Sequence, residues 1–411
     1  MNGKKQGIFY GWVVTLCGAV VLGMTHGVVN NCFSQFIIPI SKDLGVSRQA
    51  FSVCSTIICL LYALISFTSG FIYKRIRVRT TMRIASVTLP LFYGCYSLCR
   101  SLPAFYLCAA GAGISVSFLT FLPFSIIIAN WFEEKRGQAI GLCFMGSGLG
   151  GMVMNAVSAV MLNSFGWRLT YLLTGILMLA IIFPLIWFVI RVTPEEMGML
   201  PYGKGSGETG TPAVFGPKSA EAVWTVSFAA LVGVALCNGL ICNLYNNCIA
   251  PHLCDLGFSS LYAGWIVSAY MGGLAVGKIT LGVLCDRMGA RRGTAISMGA
   301  MILGFMVLIL GRMQALHPLI VIGALGTASS NVSFPVLTRH AFGTRDYAAI
   351  NGYLMGCTYI TSSMTTVAAN TIFSMTGTYV PALLAGIAAS FLTVGLLFLV
   401  KAVKVPEAEK A

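Results

Sequence analysis

Acidic side chains are nearly absent. Asp and Glu together number 12 in 411 residues, Lys and Arg number 26, and charged residues make up 9% of the chain where soluble domains carry about a quarter. That is too little charge to cover a water-facing globule, and every acid lies outside the long apolar runs or at their edges. Motifs for chemistry are also missing. The 14 cysteines form no CxxC pair and mostly sit in apolar runs, which argues for buried free thiols over a disulfide framework. The four histidines have no partners at ligand spacing, so neither a metal nor another cofactor is expected. A membrane enzyme would need clustered nucleophiles or paired carboxylates, and none is visible. The net charge of +14 does not indicate nucleic acid, because the basic residues are scattered among short loops. No cleavage-site pattern follows Met1 to Gln6, so the N-terminus is expected to be retained.

What the chain does have is apolar length. A bilayer core of about 30 Å takes roughly 20 apolar residues per helix. That ruler predicts twelve spans, near 10–37, 51–73, 84–98, 104–129, 140–162 and 169–190, then 223–249, 261–284, 294–310, 318–336, 347–373 and 379–400. The hydrophilic stretch 191–222 reads as a linker between an N-terminal unit, 1–190, and a C-terminal unit, 223–411. Lysine and arginine are retained on the cytoplasmic side. One set of alternate loops and tails holds 20 of the 26 basic residues, among them Lys4, Lys5, Lys204, Lys404 and Lys410; the other holds Lys42, Arg48, Arg100, Arg168 and Arg312. Both termini are therefore expected in the cytoplasm. The partner of such a chain is the bilayer, at a plasma membrane, specifically a bacterial inner membrane, and the chain is expected to be monomeric.

The halves repeat each other. Trp12 and Trp224, Pro39 and Pro251, Asp43 and Asp255, and Gly70 and Gly282 are all 212 positions apart, and Pro-x-x-x-Asp-Leu-Gly-x-Ser occurs from Pro39 and again from Pro251. Phe132-x-x-Lys-Arg is echoed by Phe342-x-x-Arg-Asp at an offset of 210. A duplicated six-helix unit implies an all-α membrane protein of two pseudo-symmetric bundles with a midplane site between them.

Several segments resemble the major facilitator superfamily, and more narrowly its monocarboxylate-transporter-like branch that includes oxalate/formate antiporters. Gly282-Val-Leu-Cys-Asp286-Arg287-Met-Gly289-Ala-Arg291-Arg292 is similar to the superfamily's loop signature. Phe9 to Trp12, Trp131 to Gly137, Gly146 to Gly151 and Pro194 to Gly203 look like this branch, and the resemblance covers nearly the whole chain. In the first half Lys74 stands where the signature acid belongs and Arg77 where its glycine belongs. The resemblance implies a gating role for Asp286, Arg287 and Arg291. An acid such as Asp286 can sit against a neighbouring helix N-terminus, and the bland alternative is a solvated loop that only enforces topology.

Lys278 is the sharpest single feature. An ionisable group inside a span usually faces a cavity or a partner. It lies six residues before the expected helix end at Leu284, about 9 Å, close enough to snorkel to the interface instead. Gly273 and Gly277 mark a packing stripe on another face, while Val267, Met271 and Leu274 share the lysine's face and give it no hydrogen-bond partner. No acid lies inside the spans, so an anion from solution is the expected partner. The resemblance implies the same, since Lys278 falls where this branch carries the cation that holds a substrate carboxylate. By the same resemblance, Thr358 falls near the second cation of oxalate/formate antiporters and Leu274 where proton-coupled carriers place an acid. Other polar candidates in the spans are His26, Asn30, Asn31, Asn243, Tyr245, Asn246 and Asn331, with interhelical hydrogen bonding as their plain alternative.

These features predict a secondary active transporter of a small organic anion, a monocarboxylate, working by alternating access, with exchange favoured over proton symport. The alternatives are a proton-coupled carboxylate symporter, an exporter of lipophilic or drug-like cations, which the missing intramembrane acids disfavour, and a non-transporting receptor, for which no output domain is seen.

Overall fold

The computed structural model describes residues 9–203, 215–311 and 313–401. Lys4, Lys5, Lys204, Arg312, Lys404 and Lys410, used above for orientation, lie outside the described residues.

The described chain is helical, with no strand and one isolated bridge between Phe132 and Tyr202. In the first half, α1 (Tyr10–Leu22) continues through a wider π-wound stretch, Gly23–Asn31, into α2 (Phe33–Leu44). Then come α3 (Arg48–Arg75), α4 (Val78–Cys95), α5 (Leu102–Ser117), α6 (Phe121–Trp131) and α7 (Arg136–Pro184). After a short helix α8 (Ser219–Ala222), the second half holds α9 (Val226–Asp255), α10 (Ser260–Met288) and α11 (Ala290–Ile309). It ends with α12 (Gly323–Thr327), α13 (Ser329–Phe342), α14 (Tyr347–Thr376) and α15 (Val380–Leu399).

Local sequence explains the joints. In both copies of Asp-Leu-Gly-x-Ser the glycine, Gly45 or Gly257, takes a positive φ that stops one helix. The serine two residues on then caps the next: Ser47 accepts from Ala50 N at 3.1 Å and Ser259 from Tyr262 N at 3.2 Å. Pro123 has no N–H for the carbonyl four residues earlier, so the helix breaks between α5 and α6, and Thr25 Oγ1 donates to that Leu119 carbonyl at 3.1 Å. Gly166, at φ 73° and ψ 171°, breaks α7 in its middle.

Nine helices among the described residues are long and apolar enough to cross a membrane. The expected spans 140–162 and 169–190 fall on the two parts of α7 on either side of Gly166, whose non-helical backbone separates them, and the two parts together count as one of the nine. Expected spans 84–98 and 347–373 fall on α4 and α14, which are not among the nine. Exposed Leu64, Phe71, Leu107, Val160, Ile176, Phe391 and Phe398 give the surface an apolar belt suited to lipid.

Two seams join the halves. Along α7 and α10, Gly137 lies against the Gly282 backbone and Gly141 against the Lys278 carbonyl so closely that a Cβ at either glycine would collide with main chain. Along α3 and α14, Ser69 Oγ donates to the Ala348 carbonyl at 3.1 Å. The described parts of 191–222 are anchored, 191–203 to the first half and 215–222 to the second. Tyr202 N donates to the Trp131 carbonyl at 2.8 Å, while Thr344 N and Arg345 N donate to the Phe215 carbonyl at 2.9 and 3.1 Å. Phe132 and Phe342, 210 positions apart, stand at the two docking points.

Candidate functional site

A cavity of about 860 Å³ lies between the halves. Its wall takes residues from Gly23–Asn31, α2, α3 and α7 on one side and from α9, α10, α13 and α14 on the other. The positions show which way it opens. On α3 it follows the first half of the helix, on α10 the middle and on α9 the last part, and it includes Ile37, Ser52 and Pro251. It therefore opens where α2 and α9 end, opposite the helix ends that carry Asp286 and Asp346.

Lys278 lines the cavity and is 3% exposed. It stands ten residues before the end of α10 at Met288, about 15 Å, because the helix continues past the apolar run. Its ammonium is held inside the protein and does not snorkel to the surface. Nζ donates to Ser147 Oγ at 2.6 Å and to the Phe144 carbonyl at 3.2 Å, and it lies 5.4 Å from the Phe121 ring centroid. An ammonium has three N–H donors, so one is left over. Among the described residues lining the cavity, Lys278 is the only Lys, Arg, Asp or Glu. Met271 and Leu274 line the same wall, whereas Val267 does not.

The other sequence candidates fall into two groups. His26, Asn30, Asn31, Asn243, Asn246, Asn331 and Thr358 all line the cavity. The His26 ring packs at 4.8 Å from Phe121, and its Nδ1 is buried without a hydrogen-bond partner. Asn30 Nδ2 donates to Tyr62 Oη at 2.8 Å, Asn31 Nδ2 to the Ser147 carbonyl at 3.3 Å and Asn331 Nδ2 to Ser330 Oγ at 3.0 Å. Asn243 donates to the Ser362 carbonyl. Thr358 Oγ1 donates to the Leu354 carbonyl at 3.1 Å. Tyr245 lies elsewhere: it is fully buried in the second half, packed 5.2 Å from the Phe305 ring, and its hydroxyl donates to the Ile320 carbonyl at 2.6 Å. Its helical face turns to α11 and the stretch before α12, which periodicity on α9 alone does not reveal.

Sequence reasoning missed Ser147, Phe121 and Tyr62. Ser147 had a signal, since it is the polar residue inside the glycine-rich run from Gly146 to Gly151, where small residues let two helices approach. Phe121 and Tyr62 had none, because an aromatic residue in an apolar span is ordinarily core.

At the closed end two ties cross between the halves. Asp286 accepts from Gly137 N and Gln138 N, both at 2.7 Å, at the start of α7. In the other seam Lys74 Nζ lies 3.5 Å from Asp346 Oδ1 at the start of α14, and Ser219 N donates to Asp346 Oδ2 at 2.8 Å. Partial burial works against the Asp346 carboxylate, but the Ser219 amide and Lys74 outweigh it and hold its pKa below the usual range. Arg287 is exposed. Arg291 Nη1 donates to the Val400 carbonyl at 2.8 Å, so it ties α11 to the end of α15 inside the second half and does not cross the seam.

Comparisons with known proteins agree with this architecture. The sequence family described as Major Facilitator Superfamily matches residues 15–245 and 231–411. An uncharacterized transporter of Saccharomyces cerevisiae is 29% identical over 164 residues, 38% of this chain and 24% of that protein. Monocarboxylate transporter 12-B of Danio rerio is 25% identical over 316 residues, 69% of this chain and 64% of that protein. The chain thus spans from a quarter to under two thirds of the length of these relatives. Among solved structures, the fucose:proton symporter of E. coli matches with a TM-score of 0.70 at 11% identity, over 96% of this chain and 100% of that one. The chain belongs to the major facilitator superfamily.

Proposed function

We propose that the chain is a secondary transporter of an organic monocarboxylate, and that Lys278 is the group that holds the carboxylate. The observation that carries this reading is the lone buried ammonium at the closed end of the cavity, with two N–H groups committed to the protein and a third available. A single cation favours a monoanion over a dianion, and a bound carboxylate supplies the charge partner that no acidic side chain provides there. The monocarboxylate transporter among the relatives supports the same substrate class.

Transport proceeds by alternating access, with 1–190 and 223–411 rocking about the two seams. Loops rich in lysine and arginine support a reading with both termini in the cytoplasm of a plasma membrane and the cavity facing outward. In this arrangement the ties at Asp286 and Lys74 close the cytoplasmic end, and both break when the protein opens inward. Exchange is the favoured mode, because no Asp or Glu among the described lining residues offers a seat for a relayed proton. Proton symport through His26 is the second reading, favoured by its buried, unpartnered Nδ1 beside the site.

Uptake into proteoliposomes tests the assignment. Lys278→Gln is expected to lower the uptake of radiolabelled carboxylates at least a hundredfold while the protein still inserts. Wild-type rates from that variant would defeat the ligand assignment. The same vesicles, loaded with or without internal anion and a pH gradient, separate exchange from symport.

A further inference from the structure

Lys278 accounts for one end of a ligand only. The rest of the polar wall mixes Ser, Thr and Tyr hydroxyls, which can donate or accept and so suit either kind of ligand group, with amides that include Asn30, Asn31, Asn246 and Asn331, and the amides decide which group is called for. A primary amide offers two N–H donors and a carbonyl oxygen with two lone pairs. The N–H side of Asn31 is committed to the Ser147 carbonyl. A backbone carbonyl can only accept, so exchanging the amide's nitrogen and oxygen would destroy that bond, and the oxygen remains as the group Asn31 offers a ligand. Asn30 and Asn331 pair with the hydroxyls of Tyr62 and Ser330, which can donate or accept and so leave either side of those amides for a ligand. Asn246 goes a step further: its Oδ1 is buried with no hydrogen-bond partner at all. A buried acceptor left alone is unfavourable until something donates to it.

Acceptors call for donors. A plain carboxylate has none beyond its ionised end, and a keto acid adds only another acceptor. An amine would donate, but its cation would need an anion, and the described lining residues include no Asp or Glu. Hydroxyl groups donate without charge. A cavity of about 860 Å³ also has room for more than a two- or three-carbon acid. Resting on the Lys278 reading above, we infer that the ligand is a polyhydroxylated monocarboxylate of the sugar-acid class. It binds with its carboxylate at Lys278 and its hydroxyls donating to the amide oxygens of Asn31 and Asn246. The unpartnered His26 Nδ1, as an acceptor, takes a further hydroxyl close to the carboxylate end.

Calorimetric titration of the purified full chain in nanodiscs tests this with three six-carbon probes: D-gluconate (carboxylate and hydroxyls), hexanoate (carboxylate alone) and sorbitol (hydroxyls alone). Gluconate is expected to bind at least tenfold more tightly than hexanoate, because a site built to receive hydroxyls is left with unmet acceptors by the bare acid. Sorbitol is expected not to bind. Asn246→Leu should bring gluconate to within about threefold of hexanoate, whereas Lys278→Gln should abolish both. Hexanoate binding as tightly as gluconate, or gluconate unaffected by Asn246→Leu, overturns the hydroxyl assignment and leaves the carboxylate reading standing. Sorbitol matching gluconate, or Lys278→Gln leaving gluconate binding intact, overturns the carboxylate reading itself. Failure of both acids to bind overturns the two together. Should Asn246→Leu not fold, the ranking of the three probes on the unaltered chain decides alone.

Discussion

Ser147 holds the central cation in place from the opposite half of the molecule. Its hydroxyl accepts from Lys278 at 2.6 Å and donates to the Phe144 carbonyl at 2.9 Å, while its own carbonyl accepts from Asn31 at 3.3 Å. Removing the hydroxyl leaves the ammonium with one protein acceptor and a looser position. Ser147→Ala is therefore expected to raise the KM for the transported anion about tenfold, the equivalent of one charged hydrogen bond at roughly 1.4 kcal/mol, with a smaller change in maximal rate. Initial uptake rates over a range of anion concentrations read both quantities. An unchanged KM would mean that Phe144 and Phe121 suffice to hold the lysine. Ser147 was recoverable from its glycine-rich run, but its pairing with Lys278 was not. The two residues are 131 positions apart, and only the packing of α7 on α10 brings them together.

The two cross-seam ties occupy equivalent places in the repeat and use opposite charges. Positions 74 and 286 differ by 212, and each faces the start of a helix in the other half, α14 for one and α7 for the other. Asp286 meets the positive end of α7 through two backbone amides, the favourable polarity for an anion. Lys74 would meet that end of α14 unfavourably, and Asp346 at the helix start reverses the local sign. Lys74 is 64% exposed, so this pair contributes only about 0.2–1 kcal/mol, and the Asp286 tie, with its short charge-assisted bonds, is the stronger. Asp286→Asn is accordingly expected to shift the resting population toward the inward-open arrangement. Pulsed electron paramagnetic resonance distances between labels at the starts of α4 and α11 would lengthen. The Lys74→Asp change should have a smaller effect in the same direction, and adding Asp346→Lys should reverse most of it.

The pH dependence of the weaker tie follows from its sign. The Asp346 pKa is depressed, so the carboxylate stays charged and the tie stays made above the ordinary carboxylate range, and it is lost only as pH falls through the lowered value. In the Asp286→Asn background, where the other tie no longer titrates, the label distances are expected to stay flat from about pH 8 to pH 5 and to change only below about pH 4.

For the molecule as a whole, the closed end depends on backbone meeting backbone. Gly137 and Gly282 leave no room for a side chain between α7 and α10, so Gly137→Leu is expected to wedge that seam open. Exchange flux should fall more than tenfold, because the outward-open arrangement can no longer be completed, while the protein still inserts and folds behind its apolar belt. Counterflow measured beside thermal stability separates a trapped transporter from an unfolded one. The anchoring of Tyr202 and Phe215 at matching loops ties the connecting stretch to both halves, so it moves with them at each end.

Composition was enough to put this chain in a membrane, because charge is costly in hydrocarbon and apolar length is hard to disguise. The 212-residue offset disclosed the duplicated plan, and a lysine without an acid in any span singled out Lys278, since both are properties of order along the chain. Span edges were less legible: α10 continues beyond its apolar stretch to Met288, because hydrogen bonding along a helix does not stop where hydropathy does. Which polar residues share one cavity, and why Tyr245 is not among them, depended on how each helix is rotated against its neighbours. That rotation is set by close contacts between residues more than a hundred positions apart, and no local pattern encodes them.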